Sequence, residues 1–319
     1  MNHLKISGLF LLLILITACK VSVSDKRSNG QTENPTMDSQ PLNTHNIPWS
    51  TIQSLGKIPF DYWIPYGPEE PQFGELSVPE EGKGPFPIVV FIHGGCWLSA
   101  YNLDYLSAVC RDLVNEGFAV WAPEYRRVGD EGGGYPNTFA DVQKSLEHLR
   151  ELAQMYPIDA QNIILMGHSA GGHLALWLAN QKNLSPNHPL FQKNPLPIKG
   201  VIALAGITDL ASYDKVGNDC SSAVARLMGG KPEELSQQYR ENSPVFTVPN
   251  HIPTRLIHGD RDNIVPIAQS ETYADAASKN GDDVRVVRIE GGGHFDMVYP
   301  HSAAWQTIKQ EVKSLFLKK

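Results

Sequence analysis

A serine flanked by glycines carries the sharpest chemical signal in the sequence. It lies in Gly167–Gly171 (Gly-His-Ser-Ala-Gly), between a predicted strand, Ile163–Met166, and a predicted helix, Ala170–Asn180. Glycines permit the tight, strained turn that such a strand-to-helix junction needs. The turn would hold the hydroxyl of Ser169 clear of the sheet at a helix N-terminus, where the helix dipole favours negative charge. Ser169 is therefore the predicted nucleophile.

A histidine and an aspartate follow this serine in the chain order of a Ser–Asp–His triad. His294 comes directly after the glycines Gly291–Gly293, and an imidazole can take a proton from a hydroxyl near pH 7. The acid comes from His258–Pro266, in which Asp260 and Asp262 compete. We favour Asp262, which lies deeper in the segment, and expect Asp260 to hold the turn. The acid would fix the tautomer of the imidazole and stabilise its protonated form.

The segment His93–Trp97 (His-Gly-Gly-Cys-Trp) follows another predicted strand. Its glycines allow the backbone to come close to a substrate. Backbone N–H groups aimed at a developing negative charge form an oxyanion hole. We expect Gly95 and Cys96 to donate, with Gly94 as the substitute. Ala170, directly after the serine, is expected to supply one more N–H.

Three further side chains are candidates for lining a substrate pocket: Trp97, Tyr135 and His168. Trp97 can equally be an ordinary packed residue, and for His168, as for His173, we favour packing beneath the serine turn. These two histidines are five positions apart, a spacing that does not place both imidazoles on one helix face for zinc. We expect neither a metal ion nor another cofactor, and a small-molecule ester or amide as the substrate.

Apolar runs alternate with segments of helical spacing along most of the chain. The predicted strands are Pro87–Ile92, Phe118–Pro123, Ile163–Met166, Val201–Ala205, Thr254–His258 and Val284–Ile289. This order predicts an α/β fold with a mostly parallel, doubly wound sheet flanked by helices. Ligands of such sheets bind at the carboxyl ends of the strands. Residues 206–250, which we call the excursion, show no strand pattern and are predicted to form a lid or pocket wall.

The N-terminal residues predict export. Residues 1–18 read as a signal peptide, because the apolar run Leu9–Ile16 is too short to span a membrane but fits a secretory signal. The run ends in Ile16–Cys19, which resembles the lipobox of bacterial lipoproteins and makes Cys19 the predicted lipidation site. An ordinary signal peptide with an incidental cysteine is the alternative. Lys20 favours a lipoprotein of the outer membrane, facing the periplasm or exported.

A flexible tether is predicted for residues 19–47. Residues 20–47 contain no Phe, Tyr or Trp and are rich in Ser, Asn, Gln, Thr and Pro. Such a segment cannot bury enough apolar surface to offset the entropy of chain ordering. A single catalytic domain is expected over residues 48–319.

Composition narrows the class of protein. The chain of 319 residues is 41% hydrophobic, which excludes a disordered or fibrous chain. It carries 27 Lys and Arg against 34 Asp and Glu, without a basic cluster, so nucleic acid is not an expected partner. Apart from Cys19, three cysteines remain, namely Cys96, Cys110 and Cys220. An oxidising compartment permits one bridge among them, of which Cys110–Cys220 is one possibility.

From about Trp49 onward the chain resembles the α/β-hydrolases, in the branch that contains hormone-sensitive-lipase-like esterases and kynurenine formamidases (arylformamidases). The resemblance implies a serine hydrolase that cleaves carboxylic esters through an acyl-enzyme and needs no cofactor. An arylformamidase and a carbohydrate acyl esterase are the alternatives, and a non-catalytic surface protein of the same fold is a remote one. Cys96 departs from the family pattern, which leaves the substrate class open. The matching motifs are His93–Trp97, Glu124–Arg126, Gly167–His173, the residues His258, Gly259, Asp262, Val265 and Pro266, and the pair Gly293-His294.

Overall fold

A computed structural model describes residues 45–318, and the structural statements below concern that part of the chain. The predicted signal peptide (residues 1–18), the predicted lipidation site Cys19 and most of the predicted tether lie outside the described residues. No helix within 45–318 combines the length and the hydropathy needed to cross a membrane.

Eight strands of the described chain form one sheet, in the order β1-β2-β4-β3-β5-β6-β7-β8. The strand β2 pairs antiparallel with both of its neighbours, and every other pair is parallel. The predicted mostly parallel α/β sheet is therefore confirmed. The strands are β1 (Tyr62–Pro65), β2 (Phe73–Ser77), β3 (Phe86–Ile92), β4 (Ala119–Pro123), β5 (Ile158–His168), β6 (Ile198–Leu204), β7 (Thr254–Gly259) and β8 (Val284–Ile289).

Helices cover both faces of the sheet. The helices are α1 (Trp49–Ser54), α2 (Ser107–Asn115), α3 (Asn137–Glu147), α4 (Leu149–Met155), α5 (Ala170–Ala179), α6 (Leu210–Asp214), α7 (Val224–Met228), α8 (Ser236–Asn242), α9 (Ala268–Lys279) and α10 (Ala303–Leu317). The apolar side chains of α3, α4, α5 and α9 belong to one core, and those of α2 and α10 belong to the other. The sheet is thus the middle layer of three, as the alternation of strands and helices predicts.

The strand β3 shows why the central strands are continuously apolar. Its residues Ile88, Val90 and Ile92 lie in the core beneath α3 and α5. The alternate residues Val89 and Phe91 lie in the core beneath α2 and α10. Because both faces of the strand are covered, neither set tolerates polar side chains.

The antiparallel strands β1 and β2 were not predicted from the sequence. Both are short, and β2 contains Gly74 and Glu75, which are unfavourable in strands. Glu75 is nevertheless buried, and its carboxylate lies 2.9 Å from the ammonium group of Lys57. The ion pair stabilises the buried charge of Glu75, a residue type that does not indicate a strand in the sequence. The strands β1 and β2 extend the sheet beyond β4.

The excursion contains helices and no strand, as predicted. Residues 206–250 form α6, α7 and α8, together with short 3-10 turns at Ser221–Ala223 and Pro244–Phe246. The excursion lies between β6 and β7, at the carboxyl end of β6. It therefore adjoins the edge of the sheet at which Ser169 follows β5.

Candidate functional site

The serine turn at residues 167–171 joins β5 to α5 and holds Ser169 in a strained backbone conformation. Ser169 has φ 57° and ψ −120°, a region that residues with a side chain rarely adopt. Its N–H donates to the carbonyl of Leu204 at 2.8 Å, which ties the turn to the end of β6. A Cβ atom on Gly171 would lie 2.1 Å from the carbonyl oxygen of Ile92. The glycine is therefore required by the close approach of β3.

His294 and Asp262 come from loops that follow β8 and β7, and they form a hydrogen bond of 2.7 Å between Nδ1 and Oδ2. The side chain of Asp262 is fully buried, and that of His294 is 5% exposed. The other oxygen of Asp262 accepts from the backbone N–H groups of Ile264 and Val265, each at 2.9 Å. A carboxylate can only accept, so Nδ1 of His294 carries the hydrogen and Nε2 keeps its lone pair.

The environment of Asp262 keeps its carboxyl group ionised. Burial alone would raise its pKa, but the electrostatic interaction with His294 and hydrogen bonds from His258 and His294 hold the pKa well below its usual range. His258 is itself fixed, because its ring nitrogens lie 2.8 Å from Ser270 Oγ and from the carbonyl of Val265. A permanent negative charge therefore faces the imidazole of His294.

Asp260, the competing aspartate, has a different position. Its carboxylate accepts from the N–H of Gly291 at 2.8 Å and is exposed. This bond holds the loop before His294, which agrees with the turn-holding role predicted for Asp260. The structure thus brings Asp262, and not Asp260, to the imidazole.

The residues His93–Trp97, which we call the His93 loop, turn sharply at the end of β3. Gly95, Cys96 and Trp97 have φ values of 103°, 57° and 56°. Within residues 45–318, no group accepts a hydrogen bond from the N–H of Gly95, Cys96 or Ala170. These three donors are therefore available to a ligand next to Ser169.

Gly94 does not fit its predicted role as a substitute donor. Its N–H donates to the hydroxyl of Tyr105 at 2.7 Å, so it is already occupied. A Cβ atom on Gly94 would lie 2.6 Å from the carbonyl oxygen of His168. The residue serves close packing between the His93 loop and the serine turn.

His93 fastens the base of its own loop. Its ring nitrogens lie 2.7 Å from the carbonyl of Gly94 and 2.7 Å from the carboxylate of Glu124. The ring stacks on Tyr125 with a centroid distance of 4.4 Å. Glu124 also accepts from the N–H of Tyr125 and lies 3.2 Å from the guanidinium of Arg127. The loop that carries Gly95 and Cys96 therefore rests on a buried polar network.

Two of the three predicted pocket residues are buried away from any ligand. Trp97 is fully buried, edge-on to His173, and His168 is 2% exposed. Burial of both rings agrees with the alternative interpretation, that they pack in the core, and not with a place in the pocket lining. Tyr135 remains partly exposed and packs edge-on against Phe139. Of the three, only Tyr135 has surface that a substrate can contact.

A disulfide joins the His93 loop to the excursion. Cys96 and Cys220 are bonded, 124 positions apart in the chain, and Cys110 keeps a free, buried thiol. The possible Cys110–Cys220 bridge is therefore wrong, because Cys110 lies on α2 with its side chain in the core. The excursion is also attached to the loop of Asp262, since Asn218 and Tyr213 both donate to the carbonyl of Ile264, at 2.8 and 3.1 Å.

Removal of this bridge by Cys220→Ala should destabilise the fold and slow any reaction that uses the N–H of Cys96. A bridge over so long a loop contributes about 2–4 kcal/mol, and we expect a loss of activity of about tenfold from the freed loop. Thermal unfolding and ester turnover, with and without reductant, measure both effects. Cys110→Ala is the control and should keep its sensitivity to reductant. Unchanged turnover in Cys220→Ala would contradict the expected coupling.

Sequence reasoning missed the contribution of residues 45–49. The carboxylate of Asp296, two positions after His294, is buried and accepts from the N–H groups of Asn46 (3.0 Å), Ile47 (2.9 Å) and Gly293 (3.0 Å). The ring of Trp49 packs 5.2 Å from that of Phe295. Residues 45–47 were predicted to belong to the tether, yet they are packed against the loop of His294. In the sequence, the position of Asp296 two residues after His294 is the only indication that this carboxylate holds residues 46 and 47.

Metal ligands are not grouped in the described chain. No three His, Cys, Asp or Glu side chains within residues 45–318 lie close enough together to hold a metal ion.

A protein-family model described as BD-FAE matches residues 75–277, which is more than half of the chain. The chain belongs to the BD-FAE family. Among curated proteins, this BD-FAE member is similar to a probable isoprenylcysteine alpha-carbonyl methylesterase of Oryza sativa subsp. japonica, with 26% identity over 73% of this chain and 57% of the relative. It is also similar to the kynurenine formamidase of Drosophila melanogaster, with 24% identity over 73% of this chain and 74% of the relative.

This BD-FAE member spans little more than half the length of the methylesterase relatives. Among solved structures, it resembles a truncated form of a carbohydrate esterase from gut microbiota. That comparison has a TM-score of 0.70 and 23% identity, and it covers 88% of this chain and 100% of the other. The resemblance establishes the α/β-hydrolase fold, as predicted.

Proposed function

We propose that this protein is a serine hydrolase that cleaves carboxylic esters through an acyl-enzyme, with Ser169, His294 and Asp262 as its catalytic triad. The observation that carries the proposal is the 2.7 Å bond from His294 to the buried carboxylate of Asp262. This bond leaves Nε2 of His294 as the base, on the edge of the sheet where Ser169 lies in its strained turn. The family membership and the esterases among the relatives support the same reaction class.

In the first half of the proposed reaction, Ser169 Oγ attacks the ester carbonyl as its proton moves to Nε2 of His294. The carbonyl electron pair moves to oxygen, and the N–H groups of Gly95, Cys96 and Ala170 stabilise the resulting negative charge. When the carbonyl re-forms, the bond to the alcohol breaks, and the alcohol leaves with the proton from His294.

In the second half, water repeats the sequence on the acyl-enzyme. His294 takes one proton of the water, the hydroxide oxygen bonds to the acyl carbon, and the bond to Ser169 Oγ then breaks. The serine recovers its proton from His294, and the acid is released. Asp262 stays ionised throughout and stabilises the imidazolium formed in each half.

The candidate activities differ in the acyl group and the leaving group of the substrate. Small carboxylic esters are our first choice, since methylesterases are among the relatives. Acylated carbohydrates are supported by the carbohydrate esterase with the same fold, and an N-formyl aryl amide by the kynurenine formamidase relative. All three use the same nucleophile and oxyanion donors, so specificity depends on the excursion and on residues such as Tyr135.

A substrate panel tests the proposed function on protein that begins at Lys20, which keeps residues 45–47. The panel contains p-nitrophenyl acetate, butyrate and octanoate, methyl ferulate, acetylated xylan and N-formylkynurenine. We expect turnover of at least one ester in the absence of added metal, and labelling of Ser169 by a fluorophosphonate probe. If the probe leaves the folded protein unlabelled and no substrate is turned over, the protein is instead the non-catalytic member of the fold considered above.

We also propose that the protein is a lipoprotein anchored through Cys19, at the outer membrane and facing the periplasm or exported. The support is the sequence alone, namely the apolar run Leu9–Ile16 followed by Ile16–Cys19. Cys19→Ala should release the protein into the soluble fraction of the producing bacterium. Mass spectrometry should find acyl chains on Cys19 of the wild type; an unmodified cysteine there would refute the proposal.

A further inference from the structure

A continuous chain of hydrogen bonds runs from the His93 loop to the loop of His294. The N–H of Gly94 donates to the hydroxyl of Tyr105 at 2.7 Å. That hydroxyl lies 2.9 Å from Nδ1 of His168. Nε2 of His168 lies 3.1 Å from the backbone carbonyl oxygen of His294. The chain therefore begins next to the predicted oxyanion donor Gly95, passes through the residue before Ser169 and ends at His294.

The direction of every bond in this chain is fixed by its two ends. A backbone N–H can only donate and a backbone carbonyl can only accept. His168 must therefore carry its hydrogen on Nε2, facing the carbonyl of His294. Its Nδ1 then accepts from the hydroxyl of Tyr105, whose oxygen accepts from Gly94. The hydroxyl of Tyr105 thus accepts from Gly94 and donates to His168, and each ring nitrogen of His168 has a single role.

The imidazole of His168 is suited to this place because it stays neutral. Burial, with a smaller contribution from the neighbouring His294, lowers its pKa to about 3. The two rings are 4.7 Å apart between centroids. A neutral ring there does not repel the positive charge that His294 acquires when it takes the serine proton.

The packing around Tyr105 adds a second link between the same segments. Trp49 lies 5.4 Å from the ring of Tyr105 and 5.2 Å from that of Phe295, the residue after His294. Trp49 therefore contacts both the tyrosine that accepts from Gly94 and the residue that follows His294. The segment from Ser107 onward is the helix α2, so the tyrosine is attached to a rigid element.

We propose that Tyr105 and His168 are positioning residues for the hydrolysis proposed above, holding the donors of the His93 loop and His294 in register with Ser169. The inference rests on the proposed function. His168 immediately precedes Ser169, so the chain connects the nucleophile, the base and the oxyanion donors through one buried imidazole. A shift of about 1 Å in any of these groups can cost about 100-fold in rate.

The primary test is Tyr105→Phe, which removes one oxygen atom and keeps the aromatic contacts. We measure kcat and KM on the best ester of the panel, per active site titrated with a fluorophosphonate. The expected result is a kcat at least tenfold lower, with KM within threefold and an unchanged titratable fraction. A structural role alone would instead reduce the titratable fraction and leave kcat per site unchanged.

Variants of His168 give an independent measurement. His168→Gln retains a donor for the carbonyl of His294 and an acceptor for Tyr105, whereas His168→Leu retains neither. We expect His168→Gln to turn over at least tenfold faster per titrated site than His168→Leu. The control is Tyr273→Phe, which loses a buried hydroxyl that accepts from Asn250 near the amino end of β7, far from the site; it should match wild-type kcat.

The outcomes test the positioning role and the proposed function separately. A loss smaller than tenfold in Tyr105→Phe, or equal kcat in the two His168 variants, overturns the positioning role while the proposed function stands. Wild-type protein that neither hydrolyses an ester nor reacts with the probe overturns the proposed function and this inference with it.

Discussion

Ser169→Ala is expected to lower ester turnover at least about 10⁴-fold, to the level that oxyanion donors and substrate binding provide alone. Without the hydroxyl there is no atom to form the acyl-enzyme, while the N–H groups of Gly95, Cys96 and Ala170 remain. The measurement is kcat/KM on the best ester of the panel, with uncatalysed hydrolysis subtracted. The variant should also lose all reaction with a fluorophosphonate.

The Ser169→Ala result informs on mechanism only if the variant folds as the wild type does. Alanine keeps the backbone bonds that hold the turn, from Ser169 N–H to Leu204 and from His173 N–H to the carbonyl of residue 169, so the unfolding temperature should change little. Ser145→Ala is a matched control, because the buried hydroxyl of Ser145 donates to the carbonyl of Val142 within the same helix, α3. Residual turnover above about 1% of wild type would exclude Ser169 as the nucleophile.

Asp262→Asn is expected to lower turnover about 10⁴-fold near pH 7. The side-chain oxygen can still accept from Ile264 and Val265, so the amide nitrogen takes the place of Oδ2. An amide N–H facing Nδ1 of His294 donates rather than accepts. The imidazole then carries its hydrogen on Nε2 and cannot take the proton of Ser169. The variant therefore has no catalytic base, although the imidazole of His294 is still present beside residue 262.

The control for Asp262→Asn is Asp260→Asn in the same loop. Among residues 45–318, Asp260 accepts only from the N–H of Gly291, and an asparagine oxygen can accept the same bond. Its turnover should remain within about threefold of wild type. Comparison of kcat/KM between the two variants, with unfolding curves for both, decides between the aspartates. Equal losses in the two would contradict the assignment of Asp262.

The sequence predicted the parts of the site that local patterns encode. The order of strands and helices, the glycines around Ser169 and the loops carrying Asp262 and His294 are all visible as short motifs. Each motif reflects a steric or hydrogen-bonding demand within a few residues, such as the 2.1 Å approach at Gly171. Their position at the carboxyl ends of parallel strands follows from the fold class.

Contacts between distant segments could not be predicted in the same way. The pairing of Cys96 with Cys220 depends on how the excursion folds back, and its helices carry no signal for that path. Tyr105 looks like one more aromatic residue of an amphipathic segment, since nothing in the spacing indicates where its hydroxyl points. His168 was considered both for the pocket and for packing beneath the serine turn, and the burial of its ring depends on what packs over it.

The two ends of the described chain lie at opposite ends of the sheet. Residues 46 and 47 are bound to Asp296 beside His294, whereas Lys318 is paired with Asp283, just before the first residue of β8. An attachment through the N-terminal side therefore draws the reactive end of the domain towards whatever holds it, and leaves the C-terminal end facing away. For display on a bead or fusion to a second protein, a linker after α10 leaves the end of the sheet that carries Ser169 and His294 facing away from the support. A short linker directly before residue 45 would bring that end against the support.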